Sequence, residues 1–117
     1  MKVAFYKQNC PDLAEAVAKR LMREGLDAIA EEGCLCNTQS REKYDAVLLH
    51  THDEQECFEK VRQIIMQQAD IAFYVMDING TREQQIGRHP NAKFLQHEYF
   101  SRFLEDPKSH ILAKQSF

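Results

Sequence analysis

Asp45-Ala46-Val47-Leu48-Leu49-His50-Thr51-His52-Asp53-Glu54 carries the pattern that decides the fold of this 117-residue chain. Ala46–Leu49 offers no polar face, so a strand built from it must be covered on both sides. The polar run that follows has the chemistry of a helix start: Thr51 and Glu54 stand at capping-box spacing, where a hydroxyl and a carboxylate each accept a backbone N–H. Beyond it Cys57, Phe58, Val61, Ile64 and Ile65 recur at three- and four-residue intervals, the inward stripe of a helix. A strand buried on both faces that leads into an amphipathic helix is half of a parallel crossover unit.

The same unit recurs on either side. Lys2–Tyr6 reads as a buried strand that ends in Lys7-Gln8-Asn9. Pro11 suits the first helical position, with Asn9 or Cys10 as the cap, and Leu13, Val17 and Leu21, flanked by Ala14, Ala18 and Met22, mark the apolar stripe. Gly25 closes that helix. Residues 26–30 predict a second strand, and the polar stretch 31–44, with Gly33, Asn37 and Ser40, is either a loop or one short helix. The most hydrophobic strand, residues 71–76, runs into the turn chemistry of Asp77-Ile78-Asn79-Gly80. Ala92–Leu95 is a short fifth strand after His89-Pro90, and Tyr99, Phe100, Phe103 and Leu104 have the spacing of a last helix that stops near Pro107. Residues 108–117 carry no clear pattern. Without repeats, low-complexity runs or linkers, residues 1–117 form a single α/β domain.

Composition narrows the function classes. With 15 basic and 18 acidic side chains and a net charge of −3, the chain lacks the clustered cations of a nucleic-acid binder, so nucleic acid is not an expected partner. The apolar run at the N-terminus is too short for a signal-peptide core or a membrane span, so a cytoplasmic protein without a membrane partner is expected. Cys10, Cys34, Cys36 and Cys57 are then expected to stay reduced. Cys34-Leu35-Cys36 has a spacing that a metal or a redox pair can use, but no second CxC or HxH stands at zinc-finger distance. Neither a metal nor another cofactor is expected.

Alternating strands and helices predict a three-layer α/β domain around a five-stranded, mostly parallel sheet. Right-handed crossovers leave few arrangements for five strands, of which the flavodoxin-like order 2-1-3-4-5 is the leading one. Ligands bind such sheets beyond the carboxyl ends of the strands, which selects Lys7, Gln8, Asn9 and Cys10, then His50, Thr51, His52 and Asp53, then Asp77, Asn79, Gly80 and Thr81, and finally Gln96 and His97. Over residues 1–106 this layout resembles response-regulator receiver domains. The resemblance implies an acidic pair after the first strand, a phospho-accepting Asp at the end of the third, a Thr or Ser after the fourth and a Lys after the fifth. Here those places hold Lys7-Gln8, His50, Met76-Asp77 and Gln96. Phosphoryl transfer needs carboxylates to hold its metal, so the resemblance implies a pseudo-receiver, a receiver-like shell without receiver chemistry.

Two local resemblances point elsewhere. Ala69-Asp70-Ile71, followed by Gly80-Thr81 and Gln85-Ile86-Gly87, resembles the nucleoside 2-deoxyribosyltransferases, which implies a carboxylate nucleophile where this chain has Gln85; Glu83 lies two residues earlier. Tyr6-Lys7-Gln8-Asn9-Cys10-Pro11 resembles the start of glutaredoxins, and with Leu13 in place of the second cysteine it implies at most a monothiol role for Cys10. His50 and His52 offer a metal pair with Asp53 or Asp77 if His97 comes close, and Arg82, Arg88 and Lys93 are candidate phosphate contacts near Gly80-Thr81. No paired-carboxylate, nucleophile-base or phosphate-loop arrangement is visible, so no catalytic residue is expected. The expected function is a non-catalytic protein-interaction or regulatory module that self-associates as a homodimer or binds a protein partner. Its candidate rim is Asn9, Cys10, His50, His52, Asp53, Asp77 and Thr81, and its candidate interface is Tyr99, Phe100, Phe103 and Leu104. The alternatives are a divergent nucleoside-processing enzyme using Asp77, Glu83 and Gln85, and a monothiol redox protein using Cys10.

Overall fold

The computed structural model describes residues 1–8, 10–37 and 44–112. Its strands are β1 (Lys2–Tyr6), β2 (Asp27–Glu31), β3 (Ala46–Leu49), β4 (Ala72–Met76) and β5 (Ala92–Leu95). They form a sheet of five strands in the order β2-β1-β3-β4-β5. Every pairing is parallel, with Val3 beside Ala28 and Ala46, Val47 beside Phe73, and Phe73 beside Ala92. The fold is the flavodoxin-like three-layer α/β arrangement that the alternation predicts. The expected mixture of strand directions does not occur, because every connection among the five strands crosses back over the sheet.

Alternation along the strands builds two cores. Val3, Phe5, Ala46, Leu48, Tyr74, Met76 and Leu95 face α1 (Pro11–Arg23), α4 (His97–Glu105) and α5 (Pro107–Leu112). Ala4, Tyr6, Val47, Leu49, Phe73 and Val75 face α2 (Gln55–Gln67) and the short α3 (Arg82–Ile86), with Cys34, Leu35 and Tyr44 filling the same layer. All residues of β3 and β4 are buried, whereas the edge strands β2 and β5 are partly exposed.

The helix ends show which sequence signals hold. Cys10 caps α1 and Pro11 takes its first position, as predicted. At the other end Gly25, at φ 94°, donates to the Met22 carbonyl at 3.1 Å while Leu26 N–H donates to Leu21 at 3.0 Å. This left-handed closure favours glycine. The capping box at Thr51 does not form: Glu54 is the cap residue of α2, and Thr51 is wholly buried with no partner for its hydroxyl among the described residues. The chain uses five residues, 50–54, to pass from the end of β3 to the face that α2 covers. The described residues between β2 and β3 include a short 3-10 turn, Leu35–Asn37, and residues 38–43 lie outside the described part. Part of the tail with no clear sequence pattern is helical, as α5.

The last helices turn their aromatic stripe inward. Phe103 is 1% exposed, its ring centroid 5.7 Å from those of both Tyr74 and His110, and Phe100 and Leu104 pack partly against the same core. Of the four expected interface residues only Tyr99 is exposed, at 52%. The other three belong to the contact between α4 and the sheet. Arg20 of α1 donates to the carbonyls of Leu104 and Glu105, and Lys108 donates to Glu24 O at 2.8 Å, tying α1 to the α4–α5 junction. Replacing Phe103 with Ala should therefore destabilise the protein by about 3–5 kcal/mol in urea denaturation, and Tyr99→Ala should stay within about 0.5 kcal/mol. Equal effects would show that α4 does not face the sheet in this way.

Candidate functional site

The carboxyl ends of the parallel strands form one rim, and its charged groups are largely engaged within the protein. Lys7, directly after β1, binds Glu15 at 2.7 Å and Glu32 at 2.9 Å, and these hydrogen bonds raise its pKa further above the usual lysine range. Asp77, after β4, is 1% exposed. Its Oδ1 accepts from Arg82 N–H at 2.7 Å and its Oδ2 from Glu83 N–H at 3.1 Å, so it serves as the anchor of α3. Thr81 is exposed and makes no side-chain cap. Asp53 is exposed, 3.5 Å from Arg82. Arg82 also reaches Gln85 Oε1 at 2.8 Å and lies over the Phe58 ring at 5.0 Å, and Arg88 pairs with Glu83. Of the three cations near Gly80-Thr81, only Lys93 has no ion pair among those described. Asn9 lies outside the described residues.

His50 and His52 diverge in role. His50 is half-buried, and burial, Arg82 and His52 together lower its pKa. His52 turns toward β1 and the loop after β2, with its Nδ1 3.2 Å from Gln8 Nε2. That loop is held at the rim by backbone bonds, Lys7 N–H to Glu31 O and Gln8 N–H to Gly33 O, both 2.9 Å. It delivers Cys34 and Cys36 to His52. Among the described residues these three are the one set of His, Cys, Asp or Glu whose ligand atoms all lie within 4.8 Å of one another. Cys57, in the first turn of α2, joins them: its Sγ is 3.6 Å from Cys34 Sγ, and Cys36 Sγ is 3.2 Å from Cys34 Sγ. Burial is the main cause that pushes the Cys36 and Cys57 thiols up; the neighbouring sulfurs add to the rise at Cys36, whereas at Cys57 the contact with Cys36 opposes it. A cleft of about 220 Å³ opens beside them between Cys36, His52, Cys57, Glu54, Glu56 and Lys60.

This gathering is absent from the sequence-based expectations, which pair the histidines with carboxylates and find no second CxC or HxH at zinc-finger distance. The Cys34-Leu35-Cys36 and His52-x4-Cys57 spacings are the two signals the sequence carries for it. Cys10 stays apart, packing against the core on the α1 face, where burial raises its pKa. A redox thiol needs the opposite shift.

A second opening, of about 370 Å³, lies at the ends of β4 and β5 between Gly80, Glu83, Gln84, Arg88 and Gln96. Glu83 therefore lines a cleft, while Asp77 is closed off beneath it. Gln85 is held by Arg82, and its backbone carbonyl by Arg62 Nη2 at 2.5 Å. No family model matches the chain, and no curated protein matches it. No helix among the described residues is long and apolar enough to cross a membrane. Because Asp77 satisfies two backbone donors of α3, Asp77→Ala should cost about 1–2 kcal/mol in chemical denaturation. An unchanged midpoint would place those N–H groups on other acceptors.

Proposed function

We propose that this chain is a non-catalytic regulatory or interaction module, a receiver-like frame whose phosphoryl site has been replaced, acting through self-association or a protein partner. The observation that carries the reading is the commitment of the rim. Where a magnesium-dependent phosphoryl acceptor would need converging carboxylates, Lys7 is bound to Glu15 and Glu32, Asp77 is buried under α3, and Asp53 stands out in solvent. Exposed Tyr99 and Leu112 on α4 and α5 leave apolar surface for a protein contact. Incubated with acetyl phosphate and Mg²⁺, the protein should keep its intact mass, and its oligomeric mass by light scattering should not change. A stable adduct at Asp53 overturns the reading.

The cleft beside Glu83 favours one second reading, a divergent nucleoside-processing enzyme. Glu83 is the carboxylate that lines it, paired with Arg88 in a place where a sugar could be attacked. Under that reading deoxynucleosides incubated with the protein release free base, and Glu83→Gln removes the activity. Under the module reading no base is released by either protein in chromatography of the mixture.

A further inference from the structure

The three thiols gathered between the β2 loop and α2 have no role in either reading, and they draw His52 of the candidate rim into their cluster. We propose that Cys34, Cys36, Cys57 and His52 form a binding site for a thiophilic d10 cation, Zn²⁺, with one ion per chain. Three chain segments converge there: the loop after β2, the turn after β3 and the first turn of α2. A tetrahedral zinc thiolate with Zn–S near 2.3 Å has sulfurs about 3.8 Å apart. The observed separations of 3.6 Å between Cys34 and Cys57 and 3.2 Å between Cys34 and Cys36 bring the sulfurs to that scale without a disulfide. Cys57 reaches the cluster through Cys34 and lies outside the set of Cys34, Cys36 and His52 whose ligand atoms are all within 4.8 Å of one another, so its side chain must turn inward to complete the tetrahedron.

The surroundings suit a soft cation better than a hard one. Sulfur and imidazole ligands select zinc or copper over magnesium or calcium, which need oxygen. Cys34 and Cys57 are 1% and 3% exposed, so the sulfurs sit in an apolar layer that excludes competing water. Gln8 holds the His52 ring from outside the cluster, the kind of contact that fixes the orientation of a ligating imidazole. The adjoining cleft, lined by Glu54, Glu56 and Lys60, gives an entry path. Each ligating thiol gives up its proton to solvent as the S–Zn bond forms, and the metal's charge does not change. No oxidant is involved.

The probe is the metal alone, added to the fully reduced full-length chain. Co²⁺ should produce thiolate-to-metal charge-transfer bands and the visible bands of tetrahedral coordination at one equivalent, and Zn²⁺ should bleach them. Native mass spectrometry should find one Zn²⁺ per chain, and Zn²⁺ should raise the thermal midpoint. Cys36→Ser is at a half-buried position and keeps the volume; it should weaken Zn²⁺ binding by more than about 100-fold. Gln8→Ala should weaken it by about 10–100-fold, the usual effect of losing a group that orients a ligand. Cys10→Ser, on the opposite face of the sheet, should bind like the parent chain. Circular dichroism of each variant separates lost ligands from lost fold, and Cys57→Ser and His52→Ala extend the test if one variant fails to fold. Absence of the Co²⁺ bands, bands indifferent to Cys36→Ser, or formation of a Cys34–Cys36 disulfide instead of metal uptake each overturns the site.

Discussion

Burial of β3 and β4 on both faces is the constraint from which the rest of the molecule follows. Neither strand shows a polar side chain to water, so each face of the sheet must be roofed by helices. Parallel pairing meets that demand by sending the chain back across the sheet after every strand. It also sets all five carboxyl ends on one side, so the loops that leave them collect into a single rim. Charged residues at that rim serve the fold itself: Asp77 anchors α3, and Lys7 binds Glu15 of α1 and Glu32 just after β2.

The two faces differ in how firmly they are tied down. On the α1 side, Arg20 and Lys108 link helices that are distant in sequence through backbone carbonyls, and Phe103, Tyr74 and Ile111 fill the space between them. On the α2 side, Arg62 performs a related service, donating to the carbonyls of Gln85 and Ile86 and so closing the C-terminal end of α3. Asn91 adds three bonds to carbonyls of α2 and its exit, from Ile65, Gln68 and Ile71. Side chains that the sequence presents as solvated cations and amides are here fasteners between elements.

Most of the architecture was legible because unbroken apolar runs and four-residue stripes report burial directly. The Pro11 start and the Gly25 stop of α1 follow from local chemistry, and the strand order from the handedness of parallel crossovers. What escaped was set by tertiary convergence. The helix α3 has only five residues and buries only Ile86, too little for a periodic signal. Thr51 has the residue type of a cap, yet its position at the end of a fully buried strand carries it inside. Phe100, Phe103 and Leu104 have the spacing of a surface for a partner and the same spacing as a stripe turned to the core, and the sheet claims them. Cys34 and Cys57 lie 3.6 Å apart through the return of the chain over β3, a proximity that no linear spacing rule registers.

The arrangement of α4 and α5 bears on how the molecule assembles during synthesis. All five strands leave the ribosome before these helices do, and α2 and α3 are already available to cover one side of the sheet. The other side, with Leu95, Met76 and Tyr74 on it, has only α1 until Phe103 and Ile111 arrive. Covering of that side therefore depends on α4 and α5, and apolar surface left open before they dock is of the kind that favours aggregation.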